Sequence, residues 1–61
     1  MKRTELVKTL REHGCVLLRE GKKHSIFIHV ASGKFTPVPR HREINEWTAK
    51  KIMKDLGIER A

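Results

Sequence analysis

The sequence predicts an α+β fold for a single domain spanning residues 1–61, with the element order α-β-β-β-α. Apolar residues recur at helical spacing near both ends of the chain. Short segments rich in β-branched and aromatic residues, separated by glycines, occupy the middle. A chain of 61 residues has room for only one core. We therefore expect a three-stranded antiparallel sheet with two helices packed on one of its faces.

The first helix is predicted over residues 4–13. Leu6 and Leu10 lie on one stripe of a helix and alternate with charged residues that face solvent. Thr4 is the expected N-cap, because its hydroxyl can accept a hydrogen bond from a free backbone N–H group. Gly14 is placed to end the helix.

Three strands are predicted over residues 15–20, 24–30 and 34–38. The first is a short apolar run between two glycines, and the second is rich in isoleucine, phenylalanine and valine. Pro37 has no N–H group to donate to a ladder, so the third strand should lie at an edge of the sheet or end there.

The last helix is predicted to begin after Asn45 as N-cap and to end at Gly57. Ile44 and Ala49 stand at the two positions of a hydrophobic staple. A core-facing stripe follows at helical spacing, formed by Ala49, Ile52, Met53 and Leu56.

The positive charge is concentrated in the first two-thirds of the chain. Residues 1–42 contain ten basic and three acidic residues, whereas residues 43–61 contain four of each. Such a basic region attracts phosphate backbones, although a basic surface without any ligand would look the same. We expect no signal peptide or membrane span, because the longest apolar run has four residues. The single cysteine, Cys15, is expected to be a buried thiol in the reducing cytoplasm.

Several kinds of catalytic site are excluded by the motifs. The chain has no glycine-rich phosphate loop and no Ser/His/Asp set at a recognisable elbow. His24 and His29 are five residues apart on one predicted strand, so they should point to opposite faces and cannot share an ion. We therefore expect no metal site and no small-molecule cofactor.

His24 is the candidate for chemistry. It follows a glycine turn at the exposed end of a hairpin, directly after Lys22 and Lys23. RNA cleavage can use the 2′-hydroxyl of the substrate as nucleophile, an imidazole to move a proton, and cations to stabilise the charge on phosphorus. The basic connector adds Arg40 and Arg42 as phosphate contacts. Judged from these residues alone, a histidine in a basic turn more often contacts RNA without catalysing a reaction.

Four segments in register resemble the HicA toxin family. They are residues 5–10 (ELVKTL), 17–27 (LLREGKKHSIF), 36–44 (TPVPRHREI) and 50–58 (KKIMKDLGI). The resemblance implies a fold like the double-stranded-RNA-binding domain and an mRNA-cleaving toxin of a type II toxin–antitoxin pair. It also implies a HicB-type antitoxin that masks a catalytic histidine, which maps onto His24.

The chain departs from the family pattern next to this histidine. A glycine and a small polar residue usually precede it, whereas Lys22 and Lys23 do so here, with Gly21 one position earlier. We expect Gly21 to supply the unusual backbone angles of the turn.

Two hypotheses follow for the function. The first is a metal-independent endoribonuclease in which His24 is catalytic and the phosphates are held by Lys22, Lys23, Arg40 and Arg42. The second is a non-catalytic RNA-binding module. DNA binding is less favoured, because the lysines of the last helix lie in a segment of zero net charge and are expected to face solvent. Trp47 lies off the core stripe of that helix and is expected to cover the core or to contact the antitoxin.

Overall fold

The computed structural model describes residues 1–58 and confirms the predicted element order; residues 59–61 of the predicted domain lie outside the described part. The elements are α1 (Arg3–Glu12), β1 (Cys15–Glu20), β2 (His24–His29), β3 (Lys34–Pro39) and α2 (Glu46–Asp55). The strands form one antiparallel sheet in the order β1-β2-β3, with β2 in the centre. The two helices pack on one face of this sheet, α1 against β1 and α2 against β3.

The start of α1 differs from the prediction. The N-cap is Lys2 rather than Thr4, and no described side chain caps the helix. The chain before the helix instead pairs with the connector that precedes α2, where the Arg3 N–H group donates to the Arg42 carbonyl at 2.9 Å. This backbone contact satisfies one of the N–H groups that have no partner within the helix at its start.

The other helix ends follow the predicted signals. Gly14 and Gly57 have φ angles of 82° and 75°, in the left-handed region that glycine adopts without steric cost. The Asn45 side chain accepts a hydrogen bond from the Trp47 N–H group at 2.8 Å and caps α2.

The core lies between the helices and the inner face of the sheet. Cys15 is fully buried there, which confirms the predicted buried thiol, and desolvation raises its pKa. The buried apolar side chains are Leu6, Leu10, Cys15, Phe27, Val38, Ile44, Ala49, Ile52, Leu56 and Ile58.

Within residues 1–58, both helices lie on the inner side of the sheet and its outer face is uncovered. Ser25 and Phe27 of β2 are buried, so the residues that alternate with them point away from the helices. Directly paired residues share a face of the sheet, and the register therefore places an apolar set on the outside. We call this set the open face; its members are Val16, Ile26, Ile28, Phe35 and Pro37. Because β3 is an edge strand, Pro37 occupies the edge position that the sequence predicted.

Two matched substitutions test where the core lies. Leu10→Ala should lower the free energy of unfolding by about 2–5 kcal/mol, because it leaves a cavity at a fully buried site. Leu18→Ala removes the same atoms from a side chain that is 50% exposed and should cost less than about 1 kcal/mol. Urea unfolding followed by circular dichroism measures both; equal losses would contradict the assigned core.

Candidate functional site

The candidate site is a hollow at the end of the sheet where β2 begins and β3 ends. His24 pairs with Pro39, so the turn before His24 lies beside the connector after Pro39. The hollow has a volume of about 350 Å³. Its lining residues are Lys22, Lys23, His24, Arg40 and His41. Arg42, the remaining predicted phosphate contact, lies outside it and lines a neighbouring depression with Lys2, Arg3 and Thr4.

The backbone of His24 is held firmly while its imidazole is exposed. The His24 carbonyl accepts hydrogen bonds from the Gly21 N–H group at 2.8 Å and from Arg40 Nη2 at 3.3 Å. Within residues 1–58 the imidazole itself has no hydrogen-bond partner. The ring is therefore positioned by the strand yet available to a ligand from solvent.

Arg40 directs its guanidinium into the turn between β1 and β2. Its Nη2 donates to the Gly21 carbonyl and lies 3.5 Å from the Glu20 carboxylate. Both contacts hold the turn against the connector. Arg40 thus has a structural task besides the positive charge it brings to the hollow.

A partly buried hydrogen-bond network behind His24 was not predicted from the sequence. The hydroxyl of Ser25, which is buried, donates to Glu20 Oε1 at 2.5 Å and accepts from Arg3 Nη2 at 3.0 Å. Arg3 Nε also donates to the Pro39 carbonyl at 3.0 Å. The available signal was the alternation of Ser25 with Phe27, which places a hydroxyl on the buried face, where it requires partners.

The comparisons with known proteins identify the family of this chain. The family model described as "HicA toxin of bacterial toxin-antitoxin" matches residues 3–58. The chain belongs to the HicA toxin family. A comparison with curated proteins and one with solved structures gave no significant match. Neither helix of this HicA chain, as far as it is described, has the length and apolar character needed to cross a membrane.

The turn where the chain departs from the HicA pattern has ordinary backbone angles. The expectation that Gly21 supplies unusual angles is wrong, because its φ lies outside the positive region. Its role is close approach instead: a Cβ atom at Gly21 would lie 3.1 Å from the His24 carbonyl oxygen. Lys22 and Lys23 are also free of strain, since no non-glycine residue in the described chain has a positive φ. The two lysines therefore fit the turn that precedes His24.

Of the remaining histidines of the HicA chain, His41 lies in the hollow with His24, whereas His13 and His29 lie elsewhere. His29 lies on the opposite face of β2, as predicted, with its Nδ1 2.8 Å from the Ser32 hydroxyl. His13 Nδ1 lies 2.8 Å from the Thr9 carbonyl at the end of α1. In residues 1–58 no three His, Cys, Asp or Glu side chains lie close enough to share a metal ion.

Trp47 does not cover the core, which overturns one of its two expected roles. Its side chain is 70% exposed on the first turn of α2.

The network predicts an acid sensitivity that depends on Glu20. The Ser25 hydroxyl, and secondly the charge of Arg40, hold the pKa of Glu20 below its ordinary value of 4.5. A carboxylate whose pKa is lowered by folding stabilises the folded state when the pH is above its ordinary pKa. This stabilisation is lost as the pH falls through the lowered pKa. The wild type should therefore lose stability on acidification below 4.5, and Glu20→Gln should lose less.

Urea unfolding across this pH range measures the difference. Glu12→Gln is the control, because Glu12 is exposed on α1 and has no side-chain hydrogen bond within the described residues. The Glu20 assignment fails if both variants show the same acid dependence as the wild type.

Proposed function

We propose that the protein is an endoribonuclease toxin that cleaves mRNA in the cytoplasm without a metal ion, with His24 as its catalytic residue. The observation that carries the proposal is the exposed imidazole of His24 in a hollow lined by cations. Membership of the HicA toxin family supports it. An open hollow suits a polymer, because a large substrate can cover the reacting atoms with its own bulk.

The proposed reaction needs proton transfer and charge stabilisation. The 2′-hydroxyl oxygen of the RNA forms a bond to the adjacent phosphorus while the bond from phosphorus to the 5′-oxygen breaks. The products are a 2′,3′-cyclic phosphate and a 5′-hydroxyl. His24 removes the proton of the 2′-hydroxyl or donates one to the leaving oxygen, a contribution of about 10²- to 10⁴-fold. Lys22 and Lys23 stabilise the charge that develops on phosphorus.

The firm attachment of the His24 backbone supports a catalytic role. General acid–base catalysis needs the imidazole within hydrogen-bond reach of the proton that it moves. Gly21 and Arg40 bind the His24 carbonyl, and the neighbouring Ser25 is fixed by Glu20 and Arg3. These contacts limit the movement of the strand end, so the backbone position from which the exposed His24 imidazole extends is fixed.

His24→Ala should abolish cleavage while RNA binding survives. Purified protein is incubated with a defined mRNA in buffer that contains EDTA, and the products are followed on a gel. The expected loss of rate is about 10²-fold or more, because the group that moves the proton is removed.

The matched control is His29→Ala, which changes a histidine on the opposite face of the same strand and should retain cleavage. If the folded wild type binds RNA and leaves it intact, the enzyme proposal is wrong and the chain is a non-catalytic RNA-binding module.

The open face is the proposed docking surface for a HicB-type antitoxin. Its members are apolar, and Phe35 is 63% exposed. A contiguous exposed apolar patch commonly marks a protein interface. His24 and Pro39 lie on this same side of the sheet, so a partner that buries the open face also covers the candidate catalytic residue. Acidic groups on the partner would complement Lys22 and Lys23 at the end of the face.

Phe35→Glu should weaken the complex with a HicB-type antitoxin by about 30-fold or more, the effect expected at an interface hot spot. Isothermal titration calorimetry measures the affinity, and gel filtration of the toxin alone shows whether a second copy uses the same face. Thr4→Glu places the same charge on α1 and should have little effect. Equal affinities of the two variants would exclude the open face as the antitoxin site.

A further inference from the structure

The outward surface of α2 combines the only tryptophan of the chain with three lysines. Trp47, Lys50, Lys51 and Lys54 are spaced at i, i+3, i+4 and i+7 and therefore share one face of the helix. We call this set the α2 stripe. It lies opposite the buried face of the helix and lines a shallow hollow of about 380 Å³ together with Asp55.

The stripe is more basic than the net charge of the segment indicates. Asp55 pairs with Lys51 at 3.3 Å, and Glu46 is occupied by the α-amino group of Met1, also at 3.3 Å. Within residues 1–58 the other two lysines of the stripe have no carboxylate within 4 Å. The three lysines face solvent, as the sequence predicted. Among the described residues, Asp55 and Glu46 lie at the margins of the stripe and are already paired, so two of its lysines keep an unbalanced positive charge.

The tryptophan end of the stripe lies at the same end of the molecule as the candidate site. The Thr36 hydroxyl donates to Asp55 at 3.4 Å, so the end of α2 lies over the first half of β3. The helix runs antiparallel to the strand, and Trp47 at its start lies toward Pro39, which pairs with His24. The two surfaces are on opposite sides of the sheet and are separated by the edge of β3.

We propose that the α2 stripe is a second contact for RNA, in which a base of a single-stranded segment stacks on Trp47 and the lysines hold the flanking phosphates. The identity of this ligand rests on the proposed function. An exposed aromatic side chain among cations is the arrangement by which proteins hold single strands without reading sequence. Bases inside a duplex are already stacked on one another, so the stripe selects unpaired RNA.

A strand that occupies both surfaces passes around the edge of β3. The Cα framework is only 16 Å across its shortest axis, so a short stretch of RNA can make this passage. The stripe would then position the strand, while His24 acts on a phosphate beyond the edge.

Trp47 fluorescence tests the proposal directly, because the chain has no other tryptophan. The full chain carrying His24→Ala is titrated with an unstructured single-stranded RNA oligonucleotide and, separately, with an RNA duplex of the same sequence. We expect saturable quenching of the emission by the single strand, and little quenching by the duplex.

Substitutions on the stripe separate stacking from charge. These variants are compared by the fluorescence anisotropy of a dye-labelled oligonucleotide, because the tryptophan variants lack the emission of Trp47. In the same His24→Ala background, Trp47→Ala should weaken single-strand binding by about 5- to 150-fold, the usual effect of losing one base stack. Trp47→Phe keeps an aromatic surface and should retain most of the affinity. Lys50→Gln and Lys54→Gln should each reduce the slope of log K against log salt by about 0.7. Lys8→Gln, on the exposed side of α1, is the control and should leave stripe-dependent quenching unchanged.

The outcomes distinguish this proposal from the proposed function. If RNA binds or is cleaved without any change in Trp47 emission, the stripe is not an RNA contact, and the His24 proposal stands by itself. If RNA quenches the emission but the wild type does not cleave, the stripe proposal holds and the enzyme proposal fails. If Trp47→Ala weakens only the complex with the antitoxin, the stripe is a protein contact and the RNA proposal is overturned.

Discussion

The buried hydroxyl of Ser25 sets the constraint on which the candidate site depends. A buried polar group has to be hydrogen-bonded, and here its partners are the distant Arg3 at the start of α1 and Glu20 on the neighbouring strand β1. Arg3 also reaches the end of β3, and Arg40 binds the turn from the other side. Satisfying one hydroxyl therefore joins the first helix to all three strands beside His24.

The alternation of side chains along β2 places the core residues on one side of the sheet and the candidate catalytic residue on the other. Ser25 and Phe27 point inward and build the core, whereas His24, Ile26 and Ile28 point outward. A chain of this length has only enough apolar residues to cover one face with helices, so the other face remains exposed. The candidate site accordingly lies at an exposed strand end rather than in an enclosed pocket.

Most of the fold could be predicted because its signals are local. Asn45, Gly14 and Gly57 mark helix ends by their own backbone requirements, and the alternation in β2 marks its two faces. The failures depend on contacts between distant residues. Thr4 does not cap α1 because the helix already begins at Arg3, whose N–H group is bound by the connector. The exposure of Trp47 is different, since it follows from the position of Trp47 on the face of α2 opposite Ala49 and Ile52. The cationic residues around His24 could be identified from the sequence by their charge. The direction in which each of their side chains points could not be predicted.

The separation of the two proposed RNA contacts has a consequence for neutralisation. A partner on the open face covers His24, but the α2 stripe lies in the other layer and stays exposed. If both surfaces serve as proposed, the antitoxin removes the RNA contacts at the hollow and leaves those at the stripe. The neutralised complex would then lose cleavage completely while keeping part of its affinity for single strands. Release of the antitoxin would uncover His24 on a toxin that still holds RNA through the proposed contacts of the stripe.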